Sequence, residues 1–249
     1  MPLLQGAPDR PTAFAGGRGI TRARSADEVR GVAASLPAIG HVVNLCEDRY
    51  RFLVALCAAA IRGQVTLLPP SRTRTAIDDV RARHPASYCI GDVDDCGCES
   101  APMACLPHYQ RLPDVLPRLP GAALEVARDA LAVIGFTSGS TGTPTPNPKR
   151  WGMFDTSTTQ NAQALSGLWP AHARPAIVAT VPPQHMFGME LSVLWPMLSQ
   201  ACVHGGRPFF PGDIAQALSD MPEPRVLVTT PVHLRALVES GVALPRMAG

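Results

Sequence analysis

The residues best suited to chemistry form a dense run of hydroxyls and glycines near the middle of the chain. The run follows an apolar segment and consists of Thr137, Ser138, Gly139, Ser140, Thr141 and Gly142. Hydroxyls and successive backbone amides donate hydrogen bonds to an anion, and glycine lets the backbone approach it closely. Lys149 can add positive charge. The run is therefore predicted to bind phosphate, although its spacing differs from Gly-x4-Gly-Lys. An ordinary surface loop is the alternative.

A second candidate segment follows the next apolar run, and it reads Val181-Pro-Pro-Gln-His185-Met-Phe-Gly188. Two prolines end the predicted strand and leave His185 beyond its carboxyl end. Gly188 permits close packing where the next helix begins. A lone histidine is more often structural than functional, so the segment gains weight mainly from its position behind the phosphate-binding run.

Alternating strands and helices are predicted to position both segments. The apolar runs predict strands at 41–46, 65–68, 87–90, 131–136, 176–181 and 225–230, and helices at 26–34, 50–61, 75–83, 156–168, 189–198 and 231–238. This order predicts an α/β fold, a layered αβα domain with a largely parallel sheet, whose ligands bind beyond the carboxyl ends of the strands. We expect an irregular lead-in with one helix over 1–40 and a domain over 41–249, with a loop-rich insertion at 91–128.

Composition excludes several classes of protein. The 249 residues are 46% hydrophobic and 17% charged, as in globular proteins, and the net charge is only +2. Without a dense basic stripe, nucleic-acid binding is disfavoured. No apolar run approaches the length of about 18 residues that a membrane span needs. The first residues lack a secretory signal, so a cytoplasmic location and reduced thiols are expected.

Thr137-Ser-Gly-Ser-Thr-Gly-Thr-Pro144 resembles the phosphate loop of the adenylate-forming superfamily, which includes acyl- and aryl-CoA synthetases, adenylation domains and luciferases. The resemblance implies that the loop grips the β- and γ-phosphates of ATP, with Mg²⁺, while a substrate carboxylate attacks the α-phosphorus. The family usually has lysine directly after the proline, where this chain has Thr145. Our interpretation is that an insertion moves this lysine to Lys149.

Val181–Gly188 resembles the superfamily's Pro-x-x-His-x-x-Gly segment, which implies that His185, Phe187 and Gly188 border the acid pocket. Lys149 and His185 are thus the catalytic candidates. Because a carboxylate needs no general base to attack phosphorus, His185 is expected to shape the pocket. The Pro-Pro-Gln-His sequence is similar to a bacterial subgroup associated with aryl-polyene or fatty-acyl pathways, which implies an aryl or fatty acid. The acceptor would be CoA or the phosphopantetheine thiol of an acyl carrier protein.

Some superfamily segments have no counterpart in the sequence. These are a Tyr-Gly-x-Thr-Glu segment, a ribose-binding aspartate and a C-terminal domain with a catalytic lysine. The resemblance therefore implies a fragment, a truncated product or half of a split protein, inactive alone. A non-catalytic nucleotide- or acyl-binding module is the alternative.

A zinc site is a further, weaker alternative. Four cysteines and two histidines lie close in sequence: Cys89, Cys96, Cys98, Cys105, His84 and His108. Tetrahedral thiolate sites use such ligands, but paired Cys-x2-Cys spacing is missing. Thiols in a variable loop are the simpler interpretation, and we expect no metal site in the protein itself.

Overall fold

In the computed structural model, which describes residues 1–94, 106–137 and 145–249, the strands form two sheets. The strands are β1 (Pro11–Ala15), β2 (Arg18–Thr21), β3 (His41–Asn44), β4 (Val65–Leu68), β5 (Ser87–Gly91), β6 (Tyr109–Arg111), β7 (Leu131–Thr137), β8 (Thr145–Arg150), β9 (Ala176–Ala179), β10 (Cys202–His204) and β11 (Arg225–Val228). The helices are α1 (Arg22–Ser35), α2 (Arg49–Ile61), α3 (Arg74–Arg83), α4 (Trp151–Leu165), α5 (Met186–Met189), α6 (Trp195–Leu198), α7 (Pro211–Ser219) and α8 (Pro231–Glu239).

The chain divides into two units, each made of several segments. Unit 1 comprises Met1–Leu3, Ala26–Glu47 and Arg51–Phe154. Unit 2 comprises Leu4–Ser25, Asp48–Tyr50 and Asp155–Gly249. Within the described parts of the chain, no helix is both long and apolar enough to cross a membrane.

Unit 1 is built on the six-stranded sheet, in the order β6-β5-β3-β4-β7-β8. The first five strands are parallel, and β8 pairs antiparallel with β7 at the edge. The short apolar runs fit this arrangement because the inner strands of a parallel sheet are covered on both faces. Val43, Leu67 and Phe136 are buried in one apolar cluster, to which α3 contributes Ile77 and Val80.

Unit 2 is built on the five-stranded sheet, in the order β11-β9-β10-β1-β2. Strands β11, β9, β10 and β1 are parallel, and β2 returns antiparallel to β1 through Gly16 and Gly17, both with positive φ. The core contains Val178 of β9, Cys202 of β10 and side chains of α7 and α8.

The predicted α/β class is confirmed, with two mostly parallel sheets where one was predicted. Six elements were not predicted: β1, β2, β6, β8, β10 and α7. The predicted strands 176–181 and 225–230 end earlier, at Ala179 and Val228, which are the last residues in register. The predicted helix 189–198 starts at Met186 and contains a π-helical segment, Glu190–Leu194. The domain limits at residues 40, 91 and 128 stay predictions.

Leu67→Ala should test the core of unit 1. Leu67 is fully buried in β4, so truncation should lower the free energy of unfolding by about 2–5 kcal/mol. Urea unfolding followed by circular dichroism measures the change. The control is Val115→Ala, at a side chain that is 79% exposed, which should change stability by less than about 0.5 kcal/mol. Equal effects of the two variants would contradict the assigned core.

Candidate functional site

The hydroxyl- and glycine-rich run begins at the carboxyl end of β7. Thr137, its first residue, is the exposed last residue of β7 and pairs with Thr145 of β8. Ser138, Gly139, Ser140, Thr141 and Gly142 lie outside the described residues. The apolar residues of β7 fix its position, because Val133 and Phe136 are buried and Gly135 is in register with Leu68 of β4. The run therefore starts at the edge where parallel strands present ligand sites.

Arg72 comes shortly after β4, at the same edge of the sheet, and was missed by sequence reasoning. Its Nη1 is ion-paired with Oε1 of Glu47, whose amide donates to Oδ1 of Asp92 at 2.8 Å. Nε and Nη2 of Arg72 are buried and have no hydrogen-bond partner among the described residues. Unmatched buried donors are costly, and a guanidinium suits phosphate oxygens. An anionic group at this edge would give them partners.

Lys149 lies within β8, where it is in register with Val133 and half-buried. Lys149 lies four positions after Thr145, which corresponds to about 13 Å along a strand. The register thus places Lys149 well down the hairpin from Thr137. Its assignment as the cation of the phosphate site remains a prediction.

The second candidate segment belongs to unit 2 and comes directly after β9. His185 is exposed at the N-cap of α5, and its ring makes no cap hydrogen bond. Its amide donates to the Pro182 carbonyl at 3.2 Å, and its carbonyl accepts from the Met189 amide at 2.8 Å. Phe187 is half-exposed. His185 and Phe187 therefore lie accessible on one turn beyond the carboxyl end of β9.

Gly188 is required where the turn closes on itself. A Cβ at this position would lie 2.3 Å from the Pro182 carbonyl oxygen and 3.1 Å from Cγ1 of Val181. Only a residue without a side chain allows this approach. The sequence-based prediction of close packing at Gly188 is confirmed, while its contact with substrate stays a prediction.

A polar network beside this turn joins the ends of β9 and β11. Oγ1 of Thr180, fully buried, lies 2.8 Å from Oγ1 of Thr229 and 3.0 Å from Nδ1 of His233. The His233 ring also packs edge-on against Phe209, with centroids 5.3 Å apart. Sequence reasoning missed this group, although polar residues directly after two apolar strands were a usable signal.

A cavity of about 420 Å³ lies at the other end of the unit 2 sheet, where β11 begins. Trp169, Pro224, Arg225 and Met247 contribute to its lining. Because ligands of such sheets bind at the carboxyl ends of strands, this cavity is not assigned to the chemistry.

The zinc alternative receives little support from the described residues. Cys96, Cys98 and Cys105 lie outside the described residues. Cys89 is fully buried in β5, and burial raises the pKa of its thiol to about 11. The His84 ring packs against His41, at 4.7 Å between centroids, and burial lowers the pKa of His84. In the described ranges, no three His, Cys, Asp or Glu residues are grouped so as to hold a metal.

These features define an α/β protein with candidate ligand-binding segments at the carboxyl ends of its parallel strands. The model of the AMP-binding enzyme family matches residues 4–246, and the chain belongs to this family. The resemblance to the adenylate-forming superfamily is thereby confirmed. Among proteins of curated function, none matches the sequence significantly.

Solved structures of acyl-CoA synthetases share the fold. The o-succinylbenzoate CoA synthetase of Bacillus subtilis, in complex with its acyl-adenylate intermediate, is 17% identical, with a TM-score of 0.74 over 96% of this chain and 63% of that one. A malonyl-CoA ligase with bound methylmalonyl-CoA and AMP is 22% identical, with a TM-score of 0.65 over 90% of this chain and 47% of that one. An acyl-CoA synthetase of Brucella canis is 15% identical, with a TM-score of 0.67 over 96% of this chain and 51% of that one. This chain thus spans less than two thirds of the length of these enzymes.

Thiol reactivity and metal content test the zinc alternative. Cys46, Cys57, Cys89 and Cys202 are buried, and only a thiolate reacts readily, so at most three of the seven cysteines should react with Ellman's reagent in the native protein at pH 8. All seven should react in urea. Protein purified without added zinc should contain almost none by metal analysis. A measured content of one zinc ion per chain would support the metal site.

Gly188→Ala should disturb the turn that carries His185. The added methyl group meets backbone atoms that cannot rotate away, so we expect a loss of stability of about 1–3 kcal/mol. Thermal unfolding of this variant and of its control measures the loss of stability. The matched control is Gly212→Ala in α7, where a Cβ meets nothing within 4 Å. If Gly188→Ala proved as harmless as the control, the close approach would be wrong.

Proposed function

We propose that this chain belongs to an enzyme that activates a carboxylic acid with ATP, giving acyl-AMP and pyrophosphate. The observation that carries the proposal is the family match over residues 4–246, within which the hydroxyl- and glycine-rich run begins at the end of β7. The shared fold with acyl-CoA synthetases supports it.

The proposed reaction requires charge stabilisation more than proton transfer. A carboxylate oxygen of the acid attacks the α-phosphorus, the bond from the α-phosphorus to the bridging oxygen breaks, and pyrophosphate leaves. Negative charge on the β- and γ-phosphates must be held in place during this step. Preorganised donors do this well because they need not reorient as the reaction proceeds. Thr137 through Gly142 are proposed as these donors.

Two cations of unit 1 are proposed to support the donors. Arg72 carries unmatched N–H groups at the carboxyl edge and would bind a phosphate oxygen. Lys149 would contribute charge from further along the hairpin, since its position in β8 sets it back from Thr137. Mg²⁺ would arrive on the triphosphate, because such ions are commonly held by substrate phosphates and few protein ligands.

Unit 2 is proposed to border the acid. His185, Phe187 and Gly188 would form one wall, and Phe209 with His233 a neighbouring aromatic surface. Phe187 and Phe209 are each 50% exposed, an unusual state for such large apolar side chains. Their exposure favours an aryl or fatty acid over a small polar one. The acyl group would then pass to CoA or to the phosphopantetheine thiol of an acyl carrier protein in the cytoplasm.

Acid-dependent exchange of labelled pyrophosphate into ATP tests the proposal. The assay is made on this chain and, where the gene reads further, on its full product, with benzoate, cinnamate and octanoate as acids. Exchange with any one acid supports adenylate formation. ATP binding by calorimetry without exchange from either protein would favour the non-catalytic binding module.

Thr141→Val should lower this exchange by about 100-fold or more, because removing one preorganised donor to a developing charge has an effect of that size. The melting temperature should stay within about 1 °C, because valine has nearly the same shape and volume as threonine. Thr159→Val on the exposed face of α4 is the matched control and should leave exchange unchanged. Full activity of Thr141→Val would refute the assignment of the run.

A further inference from the structure

Arg49 is a fully buried cation that the proposed adenylation does not use. It lies in unit 2, and neutral oxygens hold its guanidinium. Nη1 donates to Oγ of Ser192 at 2.5 Å, and Nη2 donates to the carbonyls of Ala179 at 2.9 Å and Val181 at 2.8 Å. Burial lowers the pKa of Arg49 to about 10, and the group therefore stays charged at neutral pH.

The three acceptors flank the segment that carries His185. Ala179 is the last residue of β9, and Val181 directly precedes two prolines. Ser192 lies on the far side, in the π-helical segment, and its hydroxyl donates to the Gly188 carbonyl. One guanidinium therefore joins the beginning of the turn to the helix that ends it.

The local sequence explains why a side chain is needed to connect the start of the turn to the following helix. Pro182 and Pro183 have no N–H groups and cannot extend the hydrogen bonding of the sheet. A π-helical segment also departs from the regular α-helical bonding pattern and often occurs at functional sites. The fork of an arginine can satisfy several fixed oxygens at once, which an ammonium group does less well.

We propose that Arg49 is a positioning residue for the acid-binding wall. It fixes the backbone from Val181 to Ser192, and this backbone sets where His185 and Phe187 stand. Arg49 thus controls affinity for the acid without touching it. The inference rests on the proposed function for its kinetic consequence, but the restraint on the turn can be measured without catalysis.

Arg10 provides a matched comparison in the same unit. It is also buried, burial lowers its pKa to about 10, and it donates to the carbonyls of Gln5, Pro11, Ala201 and Pro196. These acceptors lie outside the segment from Val181 to Ser192. Arg10 therefore serves the same structural purpose at a different place.

The kinetic test compares Arg49→Lys with Arg10→Lys, each retaining a positive charge. Both should lower the melting temperature by similar amounts. Only Arg49→Lys should raise the half-saturating concentration of the acid in pyrophosphate exchange, by about tenfold, which is the effect of losing one or two hydrogen bonds. Half-saturation by ATP should change less than twofold. Ser192→Ala, a smaller change in the same network, should shift the same constant in the same direction.

Hydrogen exchange separates this inference from the proposed function. The amides of His185 and Met189 should exchange about tenfold faster in Arg49→Lys than in the wild type, and at the wild-type rate in Arg10→Lys. If the wild type shows no pyrophosphate exchange, the proposed function fails while these amide rates still decide the role of Arg49. Equal protection of both amides in the two variants would overturn the inference.

Discussion

Parallel pairing of neighbouring strands is the constraint on which both candidate segments depend. Because β4 and β7 run in the same direction, with Leu68 beside Gly135, the loops leaving their carboxyl ends emerge at one edge of the sheet. Arg72 and Thr137 share that edge for this reason. Had β7 been antiparallel, the hydroxyl- and glycine-rich run would begin at the opposite edge. In unit 2 the pairing of β9 with β11 brings Thr180 to Thr229 in the same way.

The strands that could be predicted from the sequence are those covered on both faces, because their burial requires apolar residues. Inner parallel strands are covered on both faces, so β4 and β9 appear as short apolar runs. The edge strand β8, with the sequence TPNPKR, carries no such signal. Its two prolines argue against a strand unless one side of it is unpaired, which is the case only at an edge. The strand β1 was missed because its parallel partner, β10, is remote in sequence and only three residues long.

The site was predictable to the extent that its residues are adjacent in sequence. Thr137 was singled out because polar residues directly after an apolar strand point to a ligand edge, and His185 because its segment follows the hydroxyl- and glycine-rich run and resembles a superfamily segment. Arg49 and Arg72 were not, since their roles come from contacts with distant residues. Arg49 and Ser192 are 143 positions apart, and nothing near either one in the sequence marks the contact. A buried arginine and a solvated one look alike until the fold is known.

The pairing of β1 with β10 imposes an order of events on a growing chain. Arg10, just before β1, bonds to Ala201, 191 residues further on. At a synthesis rate of about 5–20 residues per second, β1 waits about 10–40 s for its parallel partner. The β1–β2 hairpin can close within microseconds, but it leaves one side of β1 unpaired throughout this interval. A nascent chain of this family member thus exposes an unpaired strand edge, to which chaperones can bind, until β10 has been made.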